Sequence, residues 1–342
     1  LQHTEEKIIA VVGDASIVNG LSFEGLNNTS LLHRQLLIIL NDNSMAIDKT
    51  QGAFASYLTH LRLTRSYDDL HRRTKLLVKS LPYVGDAIHD TLGRLKGGLK
   101  TTLQGQQKFE QLGIPSYGPV DGHDIPALIQ LFQILKEVNH PILLHVQTEK
   151  GRGFTPACED PCRFHSPNPF TVTGQTASFG HSSGQSFTSV FSRILGERME
   201  KDARVVALTA AMPDGTGLAA LRSRFPGRIL DVGIAESAAV DIAAGLAKKG
   251  LRPVVAIYST FLQRSFDQIF QEVSLQDLPV VFCLDRAGLV GGDGAVHHGF
   301  CDIALLRSLP NLVLMAPMNE AELAGALECS LECGKAAVIR YP

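Results

Sequence analysis

Asp14 and Asn43 are the first residues whose types and spacing point to chemistry. They follow short apolar runs at 8–12 and 36–40, in the settings Gly13-Asp14-Ala15 and Asn41-Asp42-Asn43, and lie 29 residues apart. That is about one strand-crossover-strand unit, so two neighbouring parallel strands would aim a carboxylate and an amide oxygen at one point. Hard oxygen ligands suit magnesium, which takes the rest of its shell from water and substrate phosphates. Gly-Asp and Asn-Asp-Asn are also ordinary loop and cap sequences, so the pair is more informative than either half.

The second half of the chain holds a denser set. Asp231 and Glu236 bracket DVGIAE, where a strand gives way to a helix; a first-turn glutamate also complements a helix dipole without further duty. Tyr258, Phe261 and Arg264 follow the next apolar run. Phe261 and Arg264, three apart, would share a helix face, although core packing also explains Phe261. Asp285-Arg286 then leads into GLVGGDGAVHHG, with Asp293, His297 and His298. This loop does not fit G-x-G-x-x-G, and no G-x-x-x-x-G-K-[ST] exists in the chain, which argues against nicotinamide and P-loop chemistry. Glycines with an Asp, two His and a preceding Arg suit a small anionic substrate.

Parallel strands must position these residues, because ligands of open parallel sheets sit beyond the strands' carboxyl ends. Apolar runs at 8–12, 36–40 and 142–146, and again at 205–208, 254–258, 280–284, 312–315 and 337–339, alternate with helical patterns that include 236–249, 260–273 and 320–333. The fold class is therefore α/β, with two parallel-sheet, helix-covered domains. Residues 151–185 contain no Leu, Ile or Met, one Val and four prolines, and read as a linker between domains at 1–150 and 186–342.

The 342 residues carry 32 Lys and Arg against 34 Asp and Glu, a net charge of −2, so no global field recruits nucleic acid or an anionic membrane. Residues 61–110 hold ten Lys and Arg against five Asp and Glu, which predicts a helix-rich insertion with a solvated basic face. No apolar run approaches the ~18 residues of a spanning helix, and the opening LQHTEEK lacks a signal-peptide pattern. These features predict a soluble, intracellular protein. Six cysteines are few for this length and fit a reducing compartment. Cys158, Cys162 and His165 lack a nearby fourth ligand for zinc; Cys283, Cys329 and Cys333 read as small buried residues.

Across nearly the whole chain the sequence resembles the 1-deoxy-D-xylulose-5-phosphate synthases, thiamine diphosphate enzymes of the transketolase-like group. The resemblance rests on GPVDGHD at 118–124, KGRG at 150–153, RFH at 163–165, DVGIAE at 231–236, AIYSTFLQRSFDQ at 256–268 and DRAGLVGGDG at 285–294. It implies thiamine diphosphate-binding domains and a carboligase. That enzyme would join pyruvate, with loss of carbon dioxide, to glyceraldehyde 3-phosphate, the first step of non-mevalonate isoprenoid precursor synthesis and a supply for thiamine. It further implies that Asp14, the Asn43 side chain and the Met45 carbonyl hold Mg2+, with Gly13, Ala15 and Lys150 near the diphosphate. Glu236 would hydrogen-bond the aminopyrimidine and promote its imino form, with Phe261 and Arg264 lining that pocket. His165 and His297 would contact substrate and move protons, and Tyr258, Arg286 and Asp293 would surround the phosphorylated aldehyde. A homodimer is implied as well.

Four positions depart from the family pattern. Ala15 replaces a glycine, where a Cβ is expected to crowd the diphosphate or strain the turn. Ser237-Ala238 replaces Gln-His, and Phe154 replaces a tyrosine. The family also has a segment before the first strand and a domain after Pro342, so residues 1–342 alone are expected to bind cofactor weakly and turn over little. Another transketolase-like enzyme and a non-catalytic paralogue remain alternative readings.

Overall fold

The apolar runs fold as parallel strands. In the computed structural model, which describes residues 6–45, 52–54, 56, 58, 107–165, 167–180 and 186–342, the chain divides into units Leu1–Pro161 and Cys162–Pro342. The first unit holds β1 (Ile9–Gly13), β2 (Leu36–Asp42), β3 (Ser116–Asp121) and β4 (Pro141–Gln147). They form a four-stranded sheet in the order β1-β2-β4-β3, and every pair is parallel. Helix α1 (Gly20–Thr29) is capped by Asn19, whose side chain accepts from Leu21 N–H. Helix α2 (Ile125–Leu135) is capped by Asp124, with Pro in its first turn, where the missing N–H costs nothing.

Alternation along the strands feeds two cores, as expected where both faces of a parallel sheet are covered. Leu37, Ile142, Leu144 and Val146 pack with Leu128, Leu131 and Leu135 of α2. Ile38, Leu40 and Leu143 point the other way, onto Ile17, Leu26 and Ile114.

The second unit repeats the plan with six parallel strands. These are β7 (Val205–Thr209), β8 (Ile229–Asp231), β9 (Arg252–Tyr258), β10 (Val281–Asp285), β11 (Leu312–Met315) and β12 (Ala336–Arg340), in the order β11-β12-β10-β9-β7-β8. Val254, Ala256, Val281 and Cys283 face one core, while Val255, Ile257, Phe282 and Leu284 face the other. Helices α3 (Phe187–Lys201), α4 (Glu236–Lys248) and α5 (Glu320–Glu332) supply further core residues. The chain leaves β7 for β8 on one side and returns to β9 on the other, so the switch point lies at the carboxyl ends of β7 and β9, where a ligand crevice belongs.

Several expectations need revision. The single helix expected over 260–273 is broken into Ser259–Leu262, a 3-10 turn Gln263–Ser265, Phe266–Gln268 and a π segment Ile269–Ser274. The buried hydroxyl of Ser265 donates back to Leu262 O, a local bond that competes with the regular ladder. The stretch expected to be a linker carries a helical turn, Thr155–Glu159, and an antiparallel hairpin of β5 (Phe170–Thr173) and β6 (Thr176–Phe179). Three aromatic rings pack on that hairpin: Phe164 lies 5.3 Å from Phe170 and 5.4 Å from Phe179. Cys283 is buried, but Cys329 and Cys333 are exposed, because Leu323, Leu327, Ser330 and Leu331 occupy the buried face of α5. The basic insertion lies outside the described residues from 59 to 106. Among the described residues no helix is long and apolar enough to cross a membrane.

One glycine is dictated by the packing of β3 on β4. Gly118 has φ +110°, and a Cβ there would overlap the carbonyl oxygen of His145. Gly118→Ala should therefore cost at least ~2 kcal/mol, since a left-handed backbone and a backbone collision act together. A urea titration of the two proteins measures the difference as a lowered midpoint.

Candidate active site

The carboxyl end of the first sheet brings the expected metal ligands onto neighbouring strands. Strands β1 and β2 pair in parallel with Gly13 opposite Asn41, so Asp14 and Asn43 each follow the carboxyl end of one of two adjacent strands. Asp14 is 2% exposed; its N–H donates to Asn41 O at 3.1 Å, and its Oδ1 accepts from Ala15 N–H at 2.9 Å. Ala15 is buried and is not among the left-handed residues, so the turn strain expected of its Cβ is not present. Asn43 Oδ1 accepts from Met45 N–H at 3.0 Å across Ser44, whose φ is +65°. That small turn holds Asn43 and Met45 together.

Beneath it lies a pair that the sequence did not reveal. His145 Nε2 and Asp42 Oδ2 are 2.8 Å apart, with both side chains buried, and Asp42 O accepts from Thr148 N–H at 2.9 Å. The GPVDGHD block supports the next loop. His123 N–H donates to Asp121 Oδ1, and His123 Nε2 accepts from Glu149 N–H, both at 2.8 Å. A cavity of about 510 Å³ results, lined by Asn43, Met45, His123, Lys150 and Arg152 among others. Asp14 does not line it.

In the second unit, Glu236 is the first residue of α4 and is 4% exposed. Its approach is fixed by Asp231, whose Oδ1 accepts from Ala211 N–H at 2.8 Å and Gly233 N–H at 3.0 Å. Arg264 Nη1 lies 3.2 Å from both Glu236 oxygens. The break after Leu262 thus sends Arg264 to Glu236, while Phe261 stacks on Tyr258 with centroids 5.7 Å apart and planes 7° apart. His297 meets the Phe261 ring at 5.5 Å in a T-shaped contact, and its Nδ1 lies 2.9 Å from Asp293 O.

Arg286 completes the group. Its guanidinium lies 4.5 Å from the centroid of the Tyr258 ring, and its Nε lies 3.7 Å from Asp293 Oδ2. Burial pushes the Tyr258 hydroxyl up to about 12, with Arg286 opposing the rise. Burial likewise raises the Asp285 carboxyl above its ordinary range, again against Arg286. Burial works against the charge on Arg286, but the adjacent Asp285 more than offsets it and holds the guanidinium above its usual value. Tyr258, Phe261, Arg264, Glu236, Arg286, Asp293 and His297 are therefore linked in two contact chains at one sheet end. His165 stands exposed in a bend before β5, its N–H donating to Cys162 O.

Residues 1–148 match the family model described as 1-deoxy-D-xylulose-5-phosphate synthase, and residues 183–342 match the transketolase pyrimidine binding domain. Both halves of the chain thus resemble the 1-deoxy-D-xylulose-5-phosphate synthases. It is 44% identical over 342 residues to the 1-deoxy-D-xylulose-5-phosphate synthase of Natranaerobius thermophilus, covering 100% of this chain and 54% of that protein. It is 47% identical over 343 residues to the synthase of Rhodopirellula baltica, with the same two coverages. The chain thus spans about half the length of the curated synthases it matches. The boundary between the two family models falls within residues 149–182, the stretch that contains the helical turn and the hairpin.

Proposed function

We propose that the protein carrying this chain is a transferase that condenses pyruvate, with loss of carbon dioxide, and glyceraldehyde 3-phosphate to 1-deoxy-D-xylulose 5-phosphate. It would do so as a cytoplasmic homodimer using thiamine diphosphate and Mg2+, with residues 1–150 serving the diphosphate and metal and residues 186–342 the pyrimidine. The observation that carries this reading is a buried glutamate at a helix start, grouped with an aromatic stack and a half-buried arginine at one sheet end, in a chain that resembles these synthases.

The residues present fit both groups. Asp14 offers a buried carboxylate, Asn43 an amide oxygen with a second lone pair beyond the one given to Met45 N–H, and Met45 its carbonyl, a hard-oxygen set that suits Mg2+. Glu236 offers a buried carboxylate beside Phe261 and Arg264, which suits a heteroaromatic amine. When bound, thiamine diphosphate supplies the electron sink for the two-carbon unit that pyruvate leaves. Glu236 would hold or move a proton at the pyrimidine ring. Phe261 would pack against that ring, and Lys150 would place positive charge near the diphosphate. His297 and His165 would move protons at the substrate, while Arg286, with Tyr258 and Asp293, would bind the aldehyde phosphate. Ser237, in place of the family's glutamine, has its hydroxyl donating to Arg264 O at 3.2 Å, which ties α4 to the Arg264 turn and leaves Glu236 in place.

The test is product formation. With Mg2+, thiamine diphosphate, pyruvate and glyceraldehyde 3-phosphate, the purified protein should make 1-deoxy-D-xylulose 5-phosphate, and replacing pyruvate with a ketose phosphate should give no product. Ketose exchange would assign it instead to another transketolase-like activity. Asp14→Ala should weaken Mg2+-dependent thiamine diphosphate binding by ~100-fold or more, because even outer-shell losses at metal sites cost ~10–100-fold. Calorimetric titration at fixed Mg2+ measures that change, and an unaltered affinity would remove Asp14 from the metal site.

A further inference from the structure

Arg286 is held in a way that its proposed duty does not require of a simple surface cation. Its backbone is left-handed, with φ +57°, and its N–H donates to Asp285 Oδ1 at 2.8 Å. The side chain then folds back so that Nη1 meets three acceptors: Asp285 Oδ1 at 2.8 Å, Gly215 O at 3.0 Å and Thr188 Oγ1 at 3.1 Å. The Thr188 hydroxyl donates its own proton to Asp285 Oδ2 at 2.7 Å. One hydroxyl therefore bridges the buried carboxylate and the guanidinium, giving its hydrogen to the first and a lone pair to the second. Among the described residues, Nη2 of Arg286 has no hydrogen-bond partner, and its Nε has only the 3.7 Å approach of Asp293.

The three elements that meet here are distant in sequence. Thr188 lies in the first turn of α3, Gly215 in the loop after β7, and Asp285 at the end of β10. Gly217 lets the first two close up, since a Cβ on it would lie 2.9 Å from Thr188 O. Gly215 in turn sits where a Cβ would collide with the Tyr258 hydroxyl, the ring that lies under the guanidinium.

We propose that Thr188 and Asp285 are positioning residues that pin Nη1 of Arg286 over Tyr258, so that Nη2 is presented to the phosphate of the aldehyde substrate. The inference rests on the proposed carboligase reading and adds the source of its selectivity for a phosphorylated aldehyde. A guanidinium fixed by its inner nitrogen binds a phosphate oxygen with less conformational loss than a free one.

The test compares Thr188→Val, which keeps the shape and removes the hydroxyl, with Thr188→Ala and Thr188→Ser. Steady-state kinetics are run with glyceraldehyde 3-phosphate and with unphosphorylated glyceraldehyde. Thr188→Val and Thr188→Ala should lower kcat/KM for the phosphorylated aldehyde ~10-fold, leave unphosphorylated glyceraldehyde and the KM for pyruvate unchanged, and so narrow the preference between aldehydes. Thr188→Ser should restore the parent preference. An equal fall with both aldehydes, no fall with either, or a serine variant that behaves like valine would overturn the positioning role while the carboligase reading stands. A parent protein inactive with both aldehydes would overturn that reading, and the inference with it.

Discussion

Glu236→Gln will keep the fold and the cofactor and lose most of the turnover. The side chain is 4% exposed at the first position of α4, and glutamine matches it in shape, so the packing of α4 is retained. The Arg264 partner is 54% exposed, so loss of the ion pair costs little stability. What disappears is a carboxyl that holds or gives up a proton at the bound ring, a contribution of ~10²–10⁴-fold in rate. Turnover is read from product formation and cofactor affinity from calorimetry. A rate within a few-fold of the parent, with cofactor bound, would remove Glu236 from the chemistry.

Arg286→Ala should raise the apparent KM for glyceraldehyde 3-phosphate by roughly 10–150-fold, the equivalent of a charged hydrogen bond worth about 1.5–3 kcal/mol, and leave the KM for pyruvate nearly unchanged. Equal effects on both substrates would assign Arg286 a purely structural role. The same variant has a pH signature. Burial already raises the Asp285 carboxyl, and Arg286 is the group that opposes the rise, so removing it raises the carboxyl further. The native state then keeps a proton that the unfolded chain releases near pH 3.9, and stability falls as pH rises above that value. The deficit in Tm against the parent should therefore widen on going from pH 4 towards neutrality, a trend that a thermal melt series would show.

Much of this arrangement was legible in sequence because parallel strands buried on both faces read as unbroken apolar runs. The runs at 36–40, 142–146 and 254–258 became β2, β4 and β9, each longer by one or two residues at one or both ends. Asp14 and Asn43 could be paired because their strands are neighbours in both sequence and sheet. Strands without that signature escaped notice. β3 contains Gly118 and Pro119, residues that interrupt a strand pattern. Aromatic rings and Arg163, whose guanidinium lies 3.9 Å from the Phe179 centroid, pack on the hairpin of β5 and β6, so a count of aliphatic residues misses it. The contacts that tune the sites were illegible for a different reason. Asp42 and His145 are 103 positions apart, and Thr188 and Asp285 are 97 apart. Only the fold brings them together, and Thr and His carry no local pattern that announces a partner at that range.

The most direct measurement follows carbon from pyruvate. The protein is given Mg2+, thiamine diphosphate, glyceraldehyde 3-phosphate and pyruvate labelled with carbon-13 in its carboxyl group. All of the label should leave as carbon dioxide, one molecule for each 1-deoxy-D-xylulose 5-phosphate formed. Intact pyruvate, or labelled carbon dioxide released with no five-carbon phosphate to match it, would contradict the account.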